Sequence, residues 1–115
     1  MGRTTPVLPG SVRHVLKELG KDLNAARRRR RVSMEILANR AMISRVTVGN
    51  VLRGDPTTSM GAYASVLFAL GMADRLSTLA AAVSDPIGVA LEEERLPQRV
   101  RAPRSRPVPG SDQDE

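Results

Sequence analysis

MEILANRAMISRVTVGNVLR, residues 34–53, is the stretch on which the fold turns. Leu37 and Ala41 stand four residues apart and share one face of a first helix, while Val48 and Val51 stand three apart and share one face of a second. Ile43 falls between them, where it plugs the corner, and Ala38 is small where the second helix has to cross. This spacing predicts two short helices crossing over a tight turn. Ser44, Arg45, Thr47 and Asn50 then face outward as polar groups able to reach phosphates and base edges, so the stretch reads as a helix-turn-helix that grips DNA. A plain helical hairpin is the simpler alternative.

Working outward, Ser33 is the N-cap candidate of the first helix, with Ile36 where a complete capping box has Glu or Gln. Ser44 caps the second helix, which Gly54 ends and Pro56 keeps from continuing. Upstream, Ser11 is a plausible N-cap, and Val12, Leu16, Leu19, Leu23 and Ala26 form one helical stripe that closes on Arg27–Arg31. Gly20 inside it weakens the helix by roughly 1 kcal/mol relative to Ala. The arginine run suits the negative end of the helix dipole and contributes nonspecific attraction to DNA. Downstream, Ser59 caps a fourth helix with the face Tyr63, Val66, Leu67 and Leu70, stopped by Gly71. Ala73 to Val83 reads as a fifth short helix around Leu76, Leu79 and Ala80, and Ile87 to Arg95 as a further helical stretch. The expected organisation is a flexible arm over 1–10, a helical domain over 11–83, a partly helical extension over 84–96 and a disordered tail over 97–115, whose composition cannot bury enough apolar surface to fold alone.

Composition narrows the function classes. The 115 residues have room for one domain and carry a formal charge of +6, with Arg supplying 16 of the 18 basic side chains. The positive charge is concentrated: residues 11–82 hold twelve Lys/Arg against five Asp/Glu, whereas residues 83–115 hold five against seven. Such a balance is the electrostatic footprint of a nucleic-acid binder. The absence of Cys excludes disulfides and disfavours zinc fingers, and a lone His14 builds no metal site. With only Tyr63 and Phe68 as aromatics, base-stacking single-strand binding is disfavoured. No apolar run reaches spanning length, no signal-peptide core is present, and Pro6 stands where myristoylation needs Ser or Thr, so a cytoplasmic location is expected. An enzyme is not expected, since no catalytic constellation or phosphate loop occurs. Cofactors and metals are likewise not expected.

The segment ANRAMISRVTVGNVLRGDP, with VSMEILA before it and SMGAYASVLFALG after it, resembles the phage-repressor (Cro/cI, or XRE) class over residues 15–80. That resemblance implies an all-α, five-helix DNA-binding domain that acts as a homodimeric transcriptional repressor on a palindromic operator in double-stranded DNA, since one recognition helix reads only a few base pairs. Arg45, Val46, Thr47, Gly49 and Asn50 then lie along the exposed side of the recognition helix, with Arg45 reading guanine and Asn50 adenine. Ser33, Ser44 and Thr47 bind backbone phosphate, and Arg53 is a phosphate contact or structural anchor. The further segments ADRLSTLA and ALEEERLPQRVR look like antitoxins encoded beside HipA-like serine/threonine kinase toxins. A solitary XRE-family regulator with no toxin partner is the alternative. Three positions depart from the family pattern. Met42 replaces the turn Gly, Met34 replaces a DNA-contacting Gln, and Leu52 replaces a Glu. A left-handed Met42 costs on the order of 1 kcal/mol.

Overall fold

The computed structural model describes residues 7–95, and every regular element among them is helical. Five α-helices occur, α1 (Gly10–Arg29), α2 (Met34–Ala41), α3 (Arg45–Leu52), α4 (Met60–Ala69) and α5 (Pro86–Arg95). The chain divides into two compact units between Ser77 and Thr78. Among the described residues no helix is long and apolar enough to cross a membrane. The expected tail over 97–115 and most of the expected arm lie outside the described residues.

Helices α1–α4 form the first unit. Leu37 of α2, Val48 and Val51 of α3 and Val66 of α4 are fully enclosed. Leu23 and Ala26 of α1, and Ala62, Tyr63 and Leu67 of α4, complete the same cluster, with Ile43 packed against its edge. Ala38 is buried as expected, whereas Val12 at the start of the α1 stripe is exposed. Helix α3 packs on α1, α2 and α4, so it is the central element of the unit.

The helix starts are set by serine hydroxyls. Ser33 Oγ accepts from the Ile36 N–H at 3.1 Å, Ser44 Oγ from Thr47 at 3.0 Å and Ser59 Oγ from Ala62 at 3.1 Å. Each satisfies an N–H that the first helical turn leaves without a partner. Helix α1 departs from expectation: Pro9, not Ser11, occupies the cap position, with φ −56° and no side-chain cap. Its carbonyl accepts from Val12 and Arg13 at 3.0 and 3.1 Å. The ring holds φ near the helical value, so the helix begins directly after it and Ser11 falls within the first turn.

The four helices end alike. Arg31, Met42, Gly54 and Gly71 have φ of 55°, 61°, 72° and 79°. The amide after each reaches back to a carbonyl of the last turn: Val32 to Arg27, Ile43 to Ala38, Asp55 to Asn50 and Met72 to Leu67, at 2.7–3.2 Å. This is the left-handed Schellman closure. Two of the four positions are glycine. Arg31 and Met42 adopt the same conformation with a side chain attached.

The α-helix expected over 73–83 is not formed. Two short 3-10 segments, Ala73–Thr78 and Ala82–Ser84, take its place. Leu76 packs against the core, but Leu79 and Val83 stay exposed, so no buried face rewards a continuous helix. Ser77 Oγ also donates to the Asp74 carbonyl at 2.7 Å, engaging a backbone acceptor that a helix would use. In the second unit Asp85 opens α5, its carboxylate accepting from the Gly88 N–H at 3.0 Å. Pro86 follows at the first helical position, where its missing N–H costs nothing.

Candidate nucleic-acid interface

Helix α3 is eight residues long and divides its side chains cleanly. Val48 and Val51 point into the core, while Arg45 and Val46 are exposed and Thr47, Gly49 and Asn50 are half-buried. It contains no carboxylate. Residues 45, 46, 49 and 53 fall on one face at helical spacings, and with Met34 from the first turn of α2 they line an open groove of about 480 Å³. Gly49 has no side chain to fill it: a Cβ there would lie 3.4 Å from Arg53 Nη1 and 4.0 Å from the Met34 terminal methyl. The groove is therefore apolar along Met34, Gly49 and Val46 and carries a guanidinium from Arg45 and another from Arg53.

Not every expected polar contact is free. Asn50 Oδ1 accepts from Arg53 Nη2, so these two side chains act as a pair. The oxygen keeps a second lone pair and the amide keeps both donors. Ser44 and Thr47 are joined hydroxyl to hydroxyl at 2.9 Å, besides the cap bond to the Thr47 N–H. Ser33 is exposed at the start of α2, on the helix that supplies Met34 to the groove. Of the eight expected site residues, α3 carries five, Ser44 and Arg53 are its N- and C-caps, and Ser33 is the N-cap of α2.

The end of α3 is braced. Asp55 accepts from the Thr57 N–H at 3.0 Å, the Thr57 hydroxyl at 2.9 Å and the Thr58 hydroxyl at 3.1 Å. The Thr57 N–H and hydroxyl hold the Asp55 carboxyl below the usual range, with smaller help from Thr58 and the nearby Arg53 charge. The Tyr63 hydroxyl donates to the Asp55 carbonyl at 2.9 Å and so ties α4 to this corner. Burial, and then the Asp55 charge, push the Tyr63 phenol upward.

The arginine run separates into two groups. Arg27 donates to the Val32 carbonyl at 2.8 Å and to Asn24 Oδ1 at 2.9 and 3.1 Å, locking the corner between α1 and α2. Arg30 donates back to the Ala26 carbonyl at 3.0 Å. Arg28, Arg29 and Arg31 are exposed, and so is Arg30 despite that contact. Met34, which stands directly after the Ser33 cap where the resembled pattern has a DNA-contacting Gln, lines the groove although it is not among the expected site residues. Among the described residues, no group of three or more His, Asp or Glu side chains forms a metal-binding cluster. No protein-family model, curated protein or solved structure matches the chain.

Proposed function

We propose that this protein is a sequence-specific binder of double-stranded DNA, a transcriptional repressor of the XRE (Cro/cI) kind that acts as a homodimer on a palindromic operator. The observation that carries the reading is α3 itself: a short capped helix with a hydrophobic back and a carboxylate-free front. Arg45, Val46 and Arg53 on that front surround a groove open to solvent. A helix of this size fits the major groove. Arg45, at the end that enters first, is the guanine reader. Asn50 reads adenine through its amide, with Arg53 fixing the amide's orientation as a positioning residue. Ser33, Ser44 and the exposed arginines Arg28, Arg29 and Arg31 contact phosphate.

Selection of duplexes from a random pool, followed by binding titrations on the selected and scrambled sequences, tests this. The expected result is one preferred palindrome. Arg45→Ala weakens it by about 1–3 kcal/mol and relaxes preference at one base pair per half-site. Equal weakening of both duplexes would make Arg45 a phosphate clamp, and a pool that returns no preferred sequence overturns the reading. The proposal extends to an antitoxin role with a HipA-like kinase as protein partner. The apolar side chains Leu79, Val83, Ile87 and Leu91, left exposed beyond residue 77, favour a protein contact there. Co-purification with the product of an adjacent kinase-like reading frame tests that extension.

A further inference from the structure

Val46 is 73% exposed on a helix whose other valines are fully enclosed. It stands beside Arg45 and one turn before Gly49, on the wall of the groove that Met34 also lines. A protein surface tolerates single exposed apolar groups. Here, however, exposed Val46 and half-buried Met34, whose side chain also packs against the core, line one open face together with two arginines, on a helix without a carboxylate. The cations select a polyanion, and the apolar lining selects a non-polar group carried on it. In the major groove of a duplex, the apolar group displayed at a base edge is the C5-methyl of a pyrimidine. The missing side chain of Gly49 leaves room for it next to the Met34 methyl.

We infer that Val46 and Met34 form an apolar slot that reads a pyrimidine C5-methyl group next to the base pair contacted by Arg45. This rests on the DNA-binding reading above and adds a second specificity determinant to it. Thymine and 5-methylcytosine both supply the chemistry.

The test uses the full chain and the duplex selected from a random pool. Each thymine in turn is replaced by deoxyuridine, which removes the methyl and leaves the base pairing unchanged. At one position per half-site, uracil is expected to weaken binding about fourfold, the transfer free energy of one buried methyl group. At that position, C·G and 5-methyl-C·G pairs are then compared. A fourfold gain on methylation shows that the slot takes either source, and no gain confines it to thymine. Val46→Ala and Met34→Ala are carried through the same series, and Val46→Thr, which keeps the shape and exchanges a methyl for a hydroxyl, serves as the conservative partner. The methyl effect should vanish in Val46→Ala, shrink in Met34→Ala and fall in Val46→Thr, while the preference at the Arg45 base pair stays. If uracil costs nothing at any position, or if the methyl effect survives both alanine variants, the slot is wrong although DNA binding stands. If no duplex is preferred, the DNA reading falls and takes the slot with it.

Discussion

At the scale of single residues, Gly20 is the position where local and tertiary physics disagree most sharply. Helix propensity alone argues for replacing it by Ala. Yet a Cβ on Gly20 would lie 2.6 Å from the Gly54 nitrogen and 2.8 and 2.9 Å from the Leu52 and Val51 carbonyl oxygens. A Cβ on Gly54 would in turn lie 2.3 Å from the Leu16 carbonyl oxygen. Two backbones meet there, and neither can yield as a flexible side chain would. Gly20→Ala is therefore expected to destabilise the fold by about 1–3 kcal/mol, the usual cost of overpacking, despite a propensity gain of about 1 kcal/mol. Urea unfolding decides between the two signs. Met42 is the opposite case. It is 88% exposed and holds φ at 61°, so it pays for the left-handed turn without packing in return. Met42→Gly should stabilise by about 1 kcal/mol in the same assay, and a loss would mean that the side chain is packed or the residue helical, against its exposed, left-handed geometry.

At the scale of elements, α3 depends on what brackets it. Its start rests on one hydroxyl, so Ser44→Ala should cost about 1 kcal/mol by loss of the cap, measured as a lower urea midpoint with an unchanged slope. Its end rests on the Asp55 turn. The folded state lowers the Asp55 pKa, so the carboxylate stabilises the fold at pH above its unfolded value. That contribution is lost as pH falls through the lower, folded value. Melting temperature should therefore drop on acidification below about pH 4, and Asp55→Asn should flatten that part of the profile while lowering stability at neutral pH. An acid limb identical in the variant would place the titration elsewhere. The same bracketing explains what could be read from the chain. Ser33, Ser44, Ser59, Gly54 and Gly71 act within a few residues of themselves, so α2, α3 and α4 were legible. The turn at Met42 was legible only as a question, because Met stands where the resembled pattern has Gly, and its φ of 61° answers it. The region after Gly71 was not, because the spacing of Leu76, Leu79 and Ala80 fits a helix while only Leu76 finds a core to face. Nor was the Asn50–Arg53 pair anticipated, although the two stand three apart on one helical end. Spacing shows which side chains are neighbours and leaves open whether they bind each other or a ligand.

At the scale of the whole molecule, the positive charge lies on the part of the chain that folds as α1–α4. Within the arginine run Arg27 is half-buried and hydrogen-bonded to Asn24 and Val32 while the others are exposed, and substitution should reveal that division. Arg28→Ala or Arg29→Ala should leave melting unchanged, weaken binding to all duplexes alike and lower the salt slope by about one unit. Arg27→Ala should instead lower the melting temperature, because it releases Val32 and Asn24. A stability loss at Arg28 as large as that at Arg27 would contradict this division. The seam at Gly20 and Gly54 has a consequence of another kind. Because α3 is registered against α1 by main chain, and against the core by Val48 and Val51, its orientation owes nothing to Arg45, Val46 or Asn50. The outward side chains are a replaceable cassette on a fixed mount. New binding preferences can arise by exchanging a few of them, with the scaffold left as it stands.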